Sequence, residues 1–467
     1  MKKIILFLVG CFFLIGCQPT PEQEIVTNRY EQNIETLAQN SPEPNATPLW
    51  DEISAVLSER EISVGDIGDN NQSIKKIHVS HNWLIDQNQV PVIIDLDIDV
   101  PMNTAWPIYE IEKYEMRVEE KKKIIEDMAE GNPVFSGVYH PTKIEFAQMI
   151  KDAEESDIVA QIDKSNAESG SRQTVREMLE EYYEDAALEN IETAFSWDAY
   201  AESNLNYANG HYYDDQIKEW RNFSLHENNE GISIDTSTSY IATARLVYNG
   251  AVVGSSPGEI LNDPQISFED ANRTVINLMA VWGADDMILS PTETMLGKRL
   301  NLYTGETVSV GWYIVYRKGI ENVLCCTKEE RSDEQDYISP WPQEIFRCFV
   351  DGNGIWSIAW IGPSTIGRKV GESVKLINFN VVWDRMLDQI KIENAALDAN
   401  QFTSIEVTSM QLGYGLIPKR DAISIGYSIP VWYIEYQRNV FDGYHDYRAI
   451  AINALDGSII SVRPNRG

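Results

Sequence analysis

Gly311-Trp312-Tyr313-Ile314-Val315-Tyr316 and Val431-Trp432-Tyr433-Ile434-Glu435-Tyr436 are two versions of one phrase. Each is a dense run of aromatic and β-branched residues, the types that fit a pleated, half-buried surface. Ahead of the first copy, Ser267 stands as an N-cap with Asp270 three residues on. Phe268, Ala271, Val275, Met279 and Trp282 then fall on one helical stripe that Gly283 closes. Ahead of the second, Phe379, Val382, Met386 and Ile390 make the matching stripe. Behind the copies come Asn353-Gly354 and Asp456-Gly457, each a turn signal between β-forming runs. The order helix, strand, strand, strand, turn, strand is the same twice. The expected fold class is therefore α+β: antiparallel sheets each packed by helices, with two related helix-plus-antiparallel-sheet units, residues 264–370 and 371–467. The first unit carries a hydrophilic insertion, Lys318 to Trp341, that the second lacks. Trp312 and Trp432 are expected in the cores, since each ring buries a large apolar area.

Two regions precede the repeat. Residues 49–190 read as an N-terminal α+β region, with strands over Ile77–Ile85 and Val90–Val100. Its helices are expected over Val118–Ala129, from the capping box Thr142/Glu145, and over Thr174–Leu188. Residues 191–263 read as aromatic-rich β, with strand candidates Tyr212–Leu225, Gly231–Ser237 and Tyr240–Tyr248, and a hairpin expected at Asn249-Gly250.

The first residues suggest an address. Lys2 and Lys3, an apolar run from Ile4 to Ile15, and Leu14-Ile15-Gly16-Cys17 have the layout of a lipoprotein signal. Cleavage after residue 16 leaves Cys17 as the lipidated N-terminus, and the acyl chains expected there suffice for stable anchoring. Residues 17–48, ending in Ser41-Pro42-Glu43-Pro44-Asn45-Ala46-Thr47-Pro48, read as a tether. The expected location is the extracytoplasmic face of the cell membrane, with the membrane itself a partner through Cys17.

The chain has 72 acidic against 38 basic residues, a formal charge of −34. Such a chain is repelled by nucleic acid, so no nucleic-acid partner is expected. The acidity peaks at Glu154-Glu155-Ser156-Asp157 and Glu180-Glu181-Tyr182-Tyr183-Glu184-Asp185, which read as solvated surface or as a docking face for a basic partner. Cys325, Cys326 and Cys348 are too few for a disulfide framework, and at most one of the first two can pair with Cys348.

The search for chemistry assigns no catalytic, cofactor-binding or metal residues. Asp95, Asp97 and Asp99 alternate with Ile94, Leu96, Ile98 and Val100, which places the three carboxylates on one face of a strand. An EF-hand loop needs glycine at its sixth position, where this chain has Val100. His78 and His81 fall on opposite faces of the partner strand. Ser73-Ile74-Lys75-Lys76 matches Ser-x-x-Lys without its companion motifs.

Phe349-Val350-Asp351, Gly354-Ile355-Trp356-Ser357-Ile358 with Trp360, Val374-Lys375-Leu376-Ile377-Asn378-Phe379, Pro430-Val431-Trp432 and Ile452-Asn453-Ala454-Leu455-Asp456-Gly457-Ser458-Ile459 resemble a family of lipoproteins from low-GC Gram-positive bacteria. That family is known only as a domain of unknown function. The chain departs from it at Asn378, where the family tends to proline, and at Tyr433, where it tends to an acid. In outline the repeat unit is also similar to small extracytoplasmic domains of protease-inhibitory and sensor-accessory proteins, an analogy of fold alone. Neither resemblance implies a reaction. The expected function is an extracytoplasmic lipoprotein that binds a surface protein, peptide or glycan, or modulates a membrane partner. The alternative is a cell-wall or glycan hydrolase using paired carboxylates, marked by a cleft holding two of them.

Overall fold

In a computed structural model the chain is described over residues 34–460, apart from 40–48, 155–159, 161–162, 165–173, 203–206, 239–248, 253–260, 302–306, 326–343 and breaks of one to three residues elsewhere. The helices are α1 (Ile34–Gln39), α2 (Leu49–Glu59), α3 (Val118–Met128), α4 (Lys143–Glu154), α5 (Val175–Asp185), α6 (Trp197–Glu202), α7 (Phe268–Trp282) and α8 (Phe379–Asn394). The first strands are β1 (Ser63–Asn71), β2 (Ile74–Leu84), β3 (Pro91–Pro101), β4 (Ile108–Lys113), β5 (Val134–Ser136), β6 (Tyr207–Asp214), β7 (Glu219–Asn228), β8 (Gly231–Thr238) and β9 (Asn249–Val252). They are followed by β10 (Met287–Leu289), β11 (Met295–Asn301), β12 (Thr307–Ile320), β13 (Val323–Leu324), β14 (Ile345–Asp351), β15 (Gly354–Ile361) and β16 (Ser364–Gly371). The last are β17 (Phe402–Lys419), β18 (Ala422–Val440), β19 (His445–Asn453) and β20 (Ile459–Ile460). The fold is α+β, and the chain divides into two compact units.

The first unit takes residues 1–112, 325–341 and 366–467. Its sheet runs β1-β2-β3-β17-β18-β19-β20. All of these neighbours are antiparallel except β3 and β17, which pair in parallel. The second half of β18 pairs with β19, and its first half with β4. One face is apolar: Ile77, Val79, Ile94, Leu96, Val407, Met410, Trp432, Ile434 and Ile452 are all buried. α8 packs on that face, its Phe379 ring 5.2 Å from Trp432. Alternation along β3 places Asp95, Asp97 and Asp99 on the other face.

The second unit takes residues 113–324 and 342–365. Its sheet runs β5-β6-β7-β8-β15-β14-β12-β11-β9, with β10 and β13 also on β12. α7 lies on it through Ala271, Val275, Met279 and Trp282, in one core with Ile314, Phe346, Ile358 and Trp360. α3 contributes Ile124 and Ile125 to the same core.

The duplicated order is present: α7-β11-β12-β14-β15 and α8-β17-β18-β19-β20 are each a helix and a four-strand antiparallel meander. Phe268 meets Trp312 at 5.1 Å, the counterpart of the Phe379–Trp432 contact. Both turns need the conformation that glycine supplies, with Gly354 at φ +100° and Gly457 at φ +76°. The expected caps form, with Asp270 N donating to Ser267 Oγ (3.1 Å) and Thr142 closing a box with Glu145.

Two local expectations are corrected. Asn249-Gly250 makes no turn; both residues lie in β9, opposite Asn301 and Leu300, where pairing along the β11 edge overrides turn propensity. Tyr212–Leu225 is not one strand. β6 ends at Asp214 and β7 starts at Glu219, and the two strands pair antiparallel with Asp214 opposite Glu219.

Candidate functional site

Cys17, the one site residue the sequence names, lies outside the described residues, as do Cys326 and most of the Lys318–Trp341 insertion. Cys325 and Cys348 are both buried, and Cys348 is a free thiol. Burial pushes the Cys348 thiol far above its ordinary range, so it stays protonated and inert. Trp432 is in the core and Trp312 is partly buried against the core of its own unit.

The β3 carboxylates meet basic side chains of the neighbouring strand. His78 stands opposite Asp97 and reaches both Asp97 (Nδ1–Oδ1, 3.0 Å) and Asp95 (Nε2–Oδ1, 3.3 Å). Lys76 stands opposite Asp99 and meets its Oδ1 at 3.1 Å. Such exposed cross-strand pairs contribute little each. Among the described residues no group of three or more His, Cys, Asp or Glu could hold a metal ion.

Two further carboxylates are buried in the second unit. Asp351, 0% exposed, accepts from Trp356 Nε1 (2.7 Å), Asn353 N (2.7 Å) and Ser309 Oγ (2.5 Å), and pairs with Arg299 Nη1 at 3.2 Å. The Arg299 and Arg221 guanidinium carbons lie 3.2 and 4.1 Å from the centre of the Trp356 ring. Arg221 also donates to the carbonyls of Ile355 (2.7 Å) and Asn353 (2.8 Å) and pairs with Asp214 at 2.9 Å. Glu344 accepts from Trp360 Nε1 (2.9 Å) and Ser364 Oγ (2.6 Å), with Lys318 Nζ at 3.3 Å. Desolvation raises the Glu344 pKa and outweighs the pull of Lys318. These acids are sealed in the sheet interior with their oxygens engaged. A glycosidase pair must instead flank a substrate in a cleft.

The arrangement best suited to a ligand is the outer face of the β6–β7 hairpin. Register places Tyr207 opposite His226, Asn209 opposite Ser224, His211 opposite Asn222 and Tyr213 opposite Trp220. Alternation sends Ala208, Tyr212, Phe223 and Leu225 of the same strands into the core. The outer row therefore alternates rings with amides and a hydroxyl. Tyr207 is 45% exposed and its ring centre lies 5.1 Å from that of His226. Ser224 Oγ donates to Asn209 Oδ1 at 2.9 Å, and Asn209 also bonds the Tyr207 hydroxyl.

At the other end of the row a segment from β5 folds over the sheet. Tyr139 stacks on Trp220 at 4.8 Å with planes 14° apart, and its backbone N donates to Asn222 Oδ1 (2.7 Å). Its hydroxyl donates to Glu145 at 2.6 Å. His211 donates from Nδ1 to the Gly137 carbonyl (2.8 Å), and its burial lowers its pKa, keeping it neutral near pH 7. The groups at this end are thus fixed by ring contacts and hydrogen bonds. The sequence signals the face only as a high local density of Tyr, Trp, His and Asn. Reading Tyr212–Leu225 as one strand hides the fact that Tyr213 and Trp220 oppose each other.

Among solved structures the chain is similar to an uncharacterized protein from Eubacterium rectale, at 11% identity and a TM-score of 0.47, over 88% of this chain and 99% of that one. It is also similar to the Bacillus megaterium YpeB C-terminal domain, at 9% identity and a TM-score of 0.23, over 56% of this chain and 83% of that one. Both come from Gram-positive bacteria. No family model matches the chain, and no curated protein matches it.

Proposed function

We propose that this chain is a lipid-anchored binding protein of the extracytoplasmic membrane face, and that the outer face of β6–β7 holds a neutral glycan. One observation carries the reading: Tyr207 and Asn209 line up against His226 and Ser224 on the open end of one side of the hairpin, beside the end where Tyr139 covers Trp220 and His211 is buried. A sugar ring offers an apolar C–H face and a rim of hydroxyls. Aromatic rings complement the first, and amides and hydroxyls the second. The formal charge of −34 disfavours polyanionic ligands, which leaves uncharged sugars favoured over acidic polymers. The lipoprotein signal at Cys17 and the resemblance to lipoproteins of low-GC Gram-positive bacteria support the address.

The test is a titration of the purified chain with oligosaccharides of N-acetylated hexosamines, followed by tryptophan fluorescence. Saturable binding with Kd of about 1 mM or tighter is expected, and Tyr207→Ala or Trp220→Ala weakens it at least about tenfold. A parent protein that shows no saturable change contradicts the glycan reading. For the anchor, Cys17→Ala releases the protein to the medium or leaves it unprocessed; normal processing with full membrane retention contradicts lipidation there.

A further inference from the structure

A second surface, apart from the β6–β7 face, lies on the α4–α5 hairpin. The two helices share a small core of their own, Met149, Ala153, Val175 and Leu179, with Phe146, Ile150 and Met178 packed against it. The sequence of α5 begins with a capping box, Thr174 and Glu177, which fixes its first turn. A groove of about 600 Å³ is lined by Ala147, Ile150, Glu180, Glu181, Tyr183 and Glu184. Ala147, Ile150 and Tyr183 give it an apolar lining, and the three glutamates supply its charge. The apolar stripe continues beyond the groove. Ile144, one turn before Ala147 on α4, is 75% exposed, and Leu188, just past α5, is 74% exposed.

The charge is one-sided. α5 has Arg176 as its one cation against Glu177, Glu180, Glu181, Glu184 and Asp185. Arg176 is spent on Glu180, at 2.7 Å, and Lys143 of α4 stands over the Tyr183 ring at 5.3 Å. An apolar lining with acidic groups calls for an occupant with an apolar stripe and basic flanks. A groove between two helices is filled by a third, whose anchors recur every three or four residues. We propose that the α4–α5 groove receives a basic amphipathic helix of a protein partner. Its apolar stripe would lie on Ala147, Ile150 and Tyr183, and its Lys or Arg side chains would reach Glu181 and Glu184.

The test uses the full chain and a fluorescent Leu/Lys amphipathic peptide of about 18 residues, five helical turns. Its companion has every Lys replaced by Glu. Saturable binding of the Lys peptide is expected, and none of the Glu peptide. The triple variant Glu180→Lys, Glu181→Lys, Glu184→Lys weakens binding at least about tenfold. A control makes the same change in net charge on the exposed flank of α3, Glu119→Lys, Glu126→Lys, Asp127→Lys, and stays within about threefold of the parent because it leaves the groove intact. All six positions are exposed, and circular dichroism checks that both triples are folded. Equal losses in the two triples overturn the proposal, since attraction to total charge then explains the binding. Binding of the Glu peptide, no binding at all, or a groove that sedimentation and crosslinking from Ala147 show to be filled by a second copy also overturns it.

Discussion

The two repeat units share a frame and differ at one corner. Register aligns Asp351 with Asn453, because Asp351 follows Val350, the partner of Trp312, as Asn453 follows Ile452, the partner of Trp432. Both side chains make the same local bond, Asp351 Oδ1 to Asn353 N at 2.7 Å and Asn453 Oδ1 to Leu455 N at 2.9 Å. Around that common turn the neighbours change together. Arg299 and Ser309 of the first repeat stand where the second has Gly415 and Ile429, and Trp356 sits in a β-bulge that the β19–β20 pairing lacks. Size is exchanged as well as charge. A Cβ on Gly415 would sit 2.6 Å from Val431 Cγ2, and the first repeat inverts the pair, with Arg299 large and Gly311 small. One backbone frame thus accepts an ionic or an apolar corner, provided the whole set changes at once.

The extensions differ in the same sense. β15 pairs with β8, which continues the sheet beyond the first repeat. Arg221 on β7 and Thr236 on β8 bond the Ile355 carbonyl, so the ionic corner ties the β6–β8 strands to the repeat. Trp220 and Asn222, on either side of Arg221, belong to the candidate ligand face. The apolar corner has no such task; its unit is extended at the opposite edge, by β3 against β17.

The largest expected contrast is between Asp351→Ala and Asn453→Ala. Removing Asp351 leaves Arg299 buried beside Trp356 without its counter-charge, which costs about 3–5 kcal/mol. Removing Asn453 costs about 1 kcal/mol, the value of one turn hydrogen bond. Urea unfolding of each variant measures both, and equal costs would break the distinction between the corners.

A smaller effect concerns Glu344: register pairs it with Lys318 as Asp446 is paired with Arg438 in the second repeat, but Asp446 is partly exposed whereas Glu344 is buried. Its folded pKa is raised above the ordinary 4.5, so the folded state holds the proton more tightly than the unfolded chain. The stabilisation is complete below pH 4.5 and is lost as pH rises through the raised value. Glu344→Gln flattens that part of the stability–pH curve. A parent and variant with parallel curves would contradict the assignment.

Much of the repeat is legible in the sequence because its signals are local. The stripes of α7 and α8, the Ser267 cap and the turns at Gly354 and Gly457 each depend on residues a few positions apart. The joins β8–β15 and β3–β17 link residues far apart in the chain, and no local pattern encodes them. The ionic corner is hidden for the same reason: Arg221, Arg299 and Asp351 read as surface charges until pairing buries them. The candidate face shows through composition, but its pairing of Tyr207 with His226 and Tyr213 with Trp220 needs the hairpin register.

The most direct measurement is the glycan titration on the parent chain, Tyr207→Ala and Asn453→Ala side by side. The predicted result is saturable binding by the parent and by Asn453→Ala, with at least about a tenfold loss in Tyr207→Ala. Binding that Tyr207→Ala leaves unchanged, or a parent that binds no sugar, would contradict a ligand face on β6–β7.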